Sequence, residues 1–351
     1  MKIEIKAFDT LFFRDGKPFT MEDESWAEGI FPPPMSVIYG ALRAAYFANH
    51  PEDLGKANTP EDHTKALKIT DIAFYSRRNL YYPVPSDFAV KEEKNKYLTV
   101  RMQIRDNVLT SKNVLPLCAD PKEDKLEGSS GFYLTCDYLD EYLQGFDINN
   151  TAVLKLNEQT SVEPKIGIGR NYNTKTANDG RLYRLGMRRL KDLSFIVGFE
   201  GLDLPETGII RLGGEGKTAS YSKCSLNFSR HEIDEKSRRF VVYFKTPVIF
   251  ENNGYYPDFF DENFACTLNG RKYRIVSMAM DKPLSIGGWD MKANKPKAMK
   301  KFVPAGSVYI VECDSEISLK DFGDDFATTE FCKEEYAKQG YGLYLTGVYN
   351  D

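Results

Sequence analysis

The sequence predicts an α+β protein built from two tandem ferredoxin-like domains, the first of them enlarged by an insertion. At 351 residues the chain is long for one compact domain. Its C-terminal third reads strand, helix, strand, strand, helix, strand, which is the order of the ferredoxin-like fold. The first part follows that order less closely, with a loop in place of the second helix. We therefore expect domains at 1–235 and 236–351, with the insertion at about 51–160.

Composition excludes several classes of protein. Hydrophobic residues make up 42% of the chain and aromatic residues 13%, which is enough for buried cores and too much for a disordered chain. No segment approaches the roughly 20 apolar residues that cross a bilayer. The six cysteines include no CxxC pair, which argues against a zinc ribbon and favours reduced thiols. We expect a soluble, cytoplasmic protein without a metal or a cofactor.

The N-terminal elements can be assigned in order. Residues 2–8 alternate between charged and apolar side chains, as a strand does. The prolines at 32–34 then interrupt regular hydrogen bonding, and Ser36 stands where it could cap a helix. The side chains that would form the buried face of this helix are Ile38, Leu42, Ala45 and Tyr46. Arg43 lies off that face, so we expect it to meet solvent or a ligand.

The insertion at about 51–160 consists of short strand-like segments separated by charged turns, with one short helix near Asp137–Leu143. Its sequence indicates no chemistry. A lid or a docking surface is the simplest interpretation of its role.

A basic hairpin is predicted at 165–191. Lys165–Arg170 and Arg181–Leu190 are strand-like arms, and Asn178–Gly180 provides turn residues within a tip of roughly ten residues. Against the single carboxylate of Asp179, the segment carries eight cations: Lys165, Arg170, Lys175, Arg181, Arg184, Arg188, Arg189 and Lys191. Because the whole chain has a net charge of −4, this concentration favours binding of RNA or DNA. The alternative is a solvated face whose cations pair with carboxylates elsewhere in the chain.

A glycine-rich loop follows at 211–218. Gly216-Lys217-Thr218 is similar to the end of a nucleotide-hydrolase phosphate loop, but Arg211 stands where that motif needs a glycine. The loop could still let backbone approach a phosphate chain, with Lys217 as the counter-charge. A plain turn between two strands explains it equally well.

The second domain is predicted from four strands and two helices. The strands are Arg239–Phe250, Arg271–Met278, Gly306–Cys313 and Gly342–Tyr349. A weak helical pattern covers Asp258–Cys266, and a clearer one covers Thr328–Gln339, with Gly340 at its C-terminal cap.

Histidine is scarce, which bears on catalysis. The chain has His50, His63 and His231 only, and each is better explained as a surface residue than as the acid or base of a nuclease. No DxD or HxH cluster indicates a metal site.

Four blocks of sequence are similar to the family of the third RAMP subunit of type III-B CRISPR (Cmr) effector complexes. The blocks are residues 9–19 with Trp26 and 31–43; 167–171 with 180–184; 213–216; and 287–290 with 303–308. They occur in order along nearly the whole chain. The insertion carries none of the resemblance.

This resemblance implies a fold, a role and partners. The fold would be two ferredoxin-like (RRM-like, RAMP) domains whose hairpin, or thumb, presses on the guide RNA. The role would be non-catalytic: the subunit would hold the 5′ handle of the guide RNA in antiviral defence. It would bridge the large polymerase/cyclase subunit and the backbone RAMP subunit that cleaves the target RNA. No membrane is implied.

Charge pattern and resemblance together give the candidate RNA contacts. Arginines of the hairpin would bind phosphates, Asn171 and Tyr172 would contact or stack on bases, and Trp289 would either stack on RNA or fill the domain interface. The full set is Arg14, Lys17, Arg43, Arg170, Asn171, Tyr172, Lys175, Arg181, Tyr183, Arg184, Arg188, Gly213, Gly214, Gly216, Lys217 and Trp289. Two alternatives stay open. One is a guide-processing, metal-independent endoribonuclease with His50 as its base beside Arg43 or Tyr46; the other is a scaffold that meets only proteins.

Overall fold

The computed structural model describes residues 1–350 except 15–25, 109, 111–112, 171–173, 175, 229, 232–235 and 291–294. At 26–28, 169–170, 177–183 and 289–290 it describes the backbone but not the side chains. The chain is mixed α and β, with strands predominating in antiparallel sheets, as the sequence predicts at this level.

The chain forms two compact units that are discontinuous in sequence. The first unit contains Met1–Asp71, Asn157–Ser225 and Ser285–Lys300, and the second contains Ile72–Leu156, Leu226–Leu284 and Lys301–Asp351. Most of the insertion therefore clusters with the C-terminal third. The division into domains at 1–235 and 236–351 stays a prediction, because it divides the chain into two continuous segments, whereas the two units are defined by contacts in space.

The first unit is centred on an antiparallel sheet and one long helix. The strands lie in the order Thr207–Arg211, Thr218–Lys223, Lys2–Ala7 and Ser194–Glu200, followed by the start of Lys68–Ser76. Alternation places Ile3 and Ile5 in the core, where both are fully buried. The helix Met35–Asn49 buries Met35, Ile38, Ala41, Leu42, Ala45 and Tyr46. It confirms the predicted helical face.

The predicted cap of this helix was wrong. The residue at the N-terminal cap is Pro34, and no side chain caps the helix. Ser36 is already within the first turn, because the helix begins at Met35, directly after the proline run.

The basic hairpin forms a three-stranded sheet in the first unit. Thr160–Arg170 pairs antiparallel with Ala177–Leu190, and Trp26–Glu28 adds a short parallel strand beside Arg184–Gly186. Both predicted arms are confirmed as strands. The turn is shorter than predicted, because Arg170 pairs with Ala177 and the backbone of Asn178–Gly180 continues the second strand.

The described residues of the second unit contain two large groups of antiparallel strands and a two-stranded sheet, Gln103–Ile104 with Leu117–Cys118. One has the order Asn79–Pro83, Phe132–Thr135, Ala152–Lys155, Lys96–Arg101, Phe88–Glu93 and Leu126–Glu127. The other has the order Ala265–Leu268, Arg271–Ala279, Val308–Ser318, Lys236–Phe244 and Tyr344–Val348. The helix Cys136–Leu143 confirms the short helix predicted near Asp137. The remaining short strands of the chain are Leu284–Ile286, Trp289–Asp290, Lys295–Pro296 and Lys300–Phe302.

Two helix predictions in the C-terminal third need correction. The main helix is Leu319–Ala327, which Ser318 caps by accepting a hydrogen bond from the Asp321 amide at 3.1 Å. Only Glu334–Lys338 of the predicted helix 328–339 is helical. Residues 258–264 form turns instead of a helix, because the Asp258 carboxylate accepts the backbone N–H groups of 251–253.

The core of the second unit is aromatic. Phe240 stacks on Phe322 with ring centroids 4.3 Å apart, and Phe244 makes edge contacts with Phe250 and Phe331. These contacts hold the helix Leu319–Ala327 and the loop after it against the sheet. Among the described residues, no helix is long and apolar enough to cross a membrane.

A buried carboxylate in the second unit gives a pH prediction. Asp87 is 1% exposed, accepts a hydrogen bond from the Tyr142 hydroxyl at 2.9 Å, and has Oδ1 without a partner among the described residues. Burial raises its pKa to about 6. Because this pKa lies above that of the unfolded chain, the folded state binds the extra proton between about pH 4 and 6.

The Asp87 contribution to stability is therefore present below about pH 4 and lost as pH rises through 6, by on the order of 3 kcal/mol. Urea unfolding across pH 4 to 7 should show a falling component in the wild-type protein that Asp87→Asn removes. The exposed Asp106→Asn is the matched control and should leave the profile unchanged. A variant profile that still falls like the wild type would assign the change to another group.

Candidate nucleic-acid interface

Three residues of the N-terminal segment connect the hairpin to the glycine-rich loop. The N–H and C=O groups of Leu11 both bond to Arg188 in the hairpin, at 2.8 and 2.7 Å. The Phe12 carbonyl accepts the Gly214 amide at 2.8 Å, and the Phe13 carbonyl accepts the Ile30 amide at 2.8 Å. Leu11–Phe13 are all buried. Backbone hydrogen bonds therefore fix the base of the hairpin and the loop against the same short segment.

The glycine-rich loop is shaped by this contact. Gly213 has φ +82°, and a Cβ there would lie 2.4 Å from the Phe12 carbonyl oxygen, so only glycine fits. The Gly214 amide is already bonded to that oxygen. Only Gly216, at φ +65°, faces open space. At Gly213 and Gly214 the geometry favours the structural turn over a phosphate cradle.

The two faces of the hairpin differ in character. Opposite residues of an antiparallel pair share a face, so Leu185 and Met187 lie together and pack on Phe12. The other face carries Val162, Ile166 and Ile168, which are 48, 63 and 47% exposed. Arg184 lies opposite Ile166, and Arg188 opposite Val162. This second face, which we call the open face, combines aliphatic side chains with arginines.

Carboxylates neutralise part of the basic segment. Asp9 bridges Arg189 at 3.0 Å and Lys217 at 2.7 Å, and Glu163 forms a second pair with Arg189. Lys165 pairs with Glu215 at 2.7 Å. The hydrogen bond from Lys217 is the main cause that lowers the pKa of Asp9 to about 2. The solvated, paired-face alternative therefore describes Lys165 and Arg189 of the hairpin, and Lys217 of the glycine-rich loop shares the Asp9 carboxylate.

Two arginines of the open face lack such partners. Within the part of the chain that the structure describes, no carboxylate pairs with Arg184 or Arg188. Arg184 is exposed, and Arg188 donates to the Thr160 hydroxyl at 3.2 Å while its guanidinium lies 5.6 Å from the centre of the Phe31 ring. Arg184 and Arg188 therefore leave positive charge on the open face, whereas Lys191, at the base of the hairpin, donates to the Glu158 carbonyl.

Arg43 has partners within the protein. Its Nε donates to the Thr64 hydroxyl at 2.7 Å, and its Nη2 donates to Asp62 at 2.7 Å and Asn58 at 3.1 Å. The Asp62 side chain is 1% exposed, so this is a largely buried ion pair. The geometry favours a structural role for Arg43, tying the helix Met35–Asn49 to residues 58–64.

Other predicted contacts are only partly described. Lys17, Asn171, Tyr172 and Lys175 lie outside the described residues, and so do the side chains of Arg170, Arg181, Tyr183 and Trp289. Their assignments stay predictions. Arg14 is exposed directly after Phe13. Sequence analysis missed the acidic partners Asp9, Glu163 and Glu215. Asp9 and Glu215 lie far from the hairpin in sequence, so no local pattern indicates that they pair with its cations.

Two of the three histidines, His50 and His63, lie near Asp53, and His231 belongs to the second unit. His50 stacks on Tyr46 with ring centroids 4.5 Å apart, and His63 lies 4.0 Å from Asp53. His231, in the second unit, binds the buried Asp140 carboxylate at 2.5 Å, and this hydrogen bond is the main cause that raises the histidine pKa.

Comparison with known proteins gives one family and a fold. The family model described as CRISPR-associated protein (Cas_Cmr3) matches residues 3–349. Chains from two cryo-EM structures of the type III-B Cmr-beta complex, one bound to cognate target RNA and AMPPnP and one to cognate target RNA, have TM-scores of 0.53 and 0.51. Each is 16% identical and covers 97% of this chain and 95% of its own, so the likeness shows the fold. Among curated proteins, none matches the sequence.

Proposed function

Because the chain belongs to the CRISPR-associated Cas_Cmr3 family, we propose that it is a non-catalytic subunit of a type III-B effector complex that holds the 5′ handle of the guide RNA. It would bridge the large polymerase/cyclase subunit and the backbone RAMP subunits, and would meet target RNA only indirectly. No disulfide joins the six cysteines, all of which lie in the described part of the chain, and this agrees with a reducing cytoplasm.

The open face of the hairpin is the observation that carries this proposal. Arg184 and Arg188 are four residues apart on one strand, hence on the same face and roughly 13 Å apart. No described carboxylate competes with a phosphate for either guanidinium. The exposed Val162, Ile166 and Ile168 offer apolar surface beside them, of the kind that inserts between bases. Charge and apolar contact on one ribbon suit a single-stranded RNA.

We also propose that both units are ferredoxin-like. In the second unit, Tyr344–Val348, Lys236–Phe244, Val308–Ser318 and Arg271–Ala279 are adjacent in the order 4-1-3-2 of that fold. The first unit repeats this order with Thr218–Lys223, Lys2–Ala7, Ser194–Glu200 and Lys68–Ser76. Each retains one of the two helices, Leu319–Ala327 in the second unit and Met35–Asn49 in the first.

The hairpin arginines give the first test. Replacing Arg170, Arg181 and Arg184 by Ala should weaken binding of guide RNA without lowering the unfolding temperature, because their contacts are to phosphate. The wild-type log affinity should fall with log salt at a slope of about −3 to −4 if four to six phosphates are bound. Fluorescence anisotropy with a labelled repeat-derived RNA measures both.

A control with the same change in charge replaces Lys6, Lys68 and Lys223, exposed lysines of the same unit, by Ala. It should bind nearly as the wild type does. Equal weakening by both triple variants would mean that only net charge matters and would remove the hairpin from the interface.

The acidic bridge gives a second test. Asp9→Asn removes the carboxylate that pairs with Lys217 and one of the two that pair with Arg189, so more positive charge should be available to RNA. We expect tighter binding at low salt and a salt slope steeper by about 0.7 to 1.4, corresponding to one or two more phosphates. Asp203→Asn, an exposed acid outside this bridge, serves as the control. Weaker binding in Asp9→Asn would show instead that the bridge positions the hairpin.

A metal-independent endoribonuclease is the second candidate. The stacking of His50 on Tyr46 favours it, since that candidate function requires a base beside Tyr46 or Arg43. Against it, the guanidinium of Arg43 is committed to Asp62. Incubating the purified protein with repeat RNA in EDTA distinguishes the two: we expect intact RNA, whereas cleavage that His50→Ala abolishes would establish the enzyme.

A further inference from the structure

A mixed cluster of imidazole and carboxylate groups lies where the helix Met35–Asn49 ends. His50 follows the helix, and Pro51 begins a short 3-10 turn, Pro51–Lys56, that folds back on it. The Asp53 amide bonds to the His50 carbonyl at 3.1 Å, which brings the side chains of 50, 52 and 53 together. One ligand atom from each of His50, Glu52 and Asp53 lies within 4.8 Å of the other two.

We propose that His50, Glu52 and Asp53 form a binding site for a divalent transition metal of the zinc class. The His50 Nδ1 and the Glu52 Oε1 are 3.3 Å apart, the separation that two ligands at about 2.0 Å from a tetrahedral zinc would have. The side chain of Asp53 is 11% exposed, and the Tyr46 hydroxyl donates to its Oδ2 at 3.0 Å, which orients the carboxylate. One imidazole with two carboxylates favours zinc over magnesium, which prefers oxygen ligands alone.

Two neighbours complete the argument. The His63 Nε2 lies 4.0 Å from Asp53 Oδ1, so a second imidazole stands beside the proposed site without belonging to it. Lys56 donates to the same Asp53 oxygen at 2.7 Å. The Lys56 ammonium therefore lies where the metal ion would bind Asp53, so metal binding must displace it. Lys56 is 43% exposed and can move into solvent.

The site therefore predicts opposite effects for two substitutions. Tag-free protein, freed of metal by EDTA and dialysed with a non-chelating reductant, is titrated with ZnCl₂ in a calorimeter, and with MgCl₂ for comparison. We expect one zinc per chain, bound more tightly than magnesium. His50→Ala should weaken zinc binding by at least about tenfold. Lys56→Met should strengthen it by about two- to fivefold, the worth of an exposed ion pair that no longer competes.

The matched control is His231→Ala, which removes an imidazole that also touches a carboxylate, Asp140. It should bind zinc as the wild type does. Zinc should also raise the unfolding temperature of the wild type and of His231→Ala but not of His50→Ala, which separates loss of the site from loss of folding. Zinc binding that survives in His50→Ala, disappears in His231→Ala, or is no tighter than that of magnesium in the wild type would overturn the proposal.

Discussion

The backbone of Leu11–Phe13 is the constraint on which the candidate interface depends. It pairs with Arg188 of the hairpin, accepts the Gly214 amide of the glycine-rich loop, and accepts the Ile30 amide that precedes Phe31. Phe31 in turn packs on Phe13 and Phe195, with ring centroids 6.2 Å apart in each case. Because Leu11, Phe12 and Phe13 are buried, water cannot replace these backbone hydrogen bonds, and losing one of them would be costly. The hairpin therefore has a fixed base.

The electrostatics of the hairpin follow from that fixed base. Holding Arg188 beside Leu11 places the neighbouring Arg189 within reach of Asp9, and the loop contact places Lys217 on the same carboxylate. On the face that packs on Phe12, Lys165 and Arg189 are paired with carboxylates, whereas Arg184 and Arg188 on the open face have no described carboxylate partner. The two faces of the hairpin therefore differ in how far their cations are neutralised, and in the function proposed above RNA would be attracted to the open face. Salt would screen that attraction, so contacts of the aliphatic side chains would have to contribute to affinity.

Local sequence patterns correctly predicted the helices and strands that bury one face and expose the other. The helix at Met35–Asn49, the strand at Lys2–Ala7 and both arms of the hairpin were found because apolar residues recur with the period of the element. Prediction failed where a single side chain decided the outcome. Asp258 binds three successive amides and replaces a helix by turns, and Ser318 starts the C-terminal helix nine residues before the pattern of helix formers at 328–339. The hairpin turn was misjudged because Asn178–Gly180 has turn composition although it lies within the strand Ala177–Leu190, where the register of pairing shifts.

The sequence alone determined the class of fold, the family and the location of the basic segment, because all three depend on the order and type of residues along the chain. Only the tertiary structure decided which of those cations are paired with carboxylates and which are not. Asp9 is 180 residues from Arg189 and Glu215 is 50 from Lys165, so nothing local indicates that they pair. The same holds for Arg43, which the helical pattern placed outside the core and which the fold joins to a buried Asp62. Coulomb interactions depend on distance in space, and distance in space is set by the packing of segments that the sequence separates.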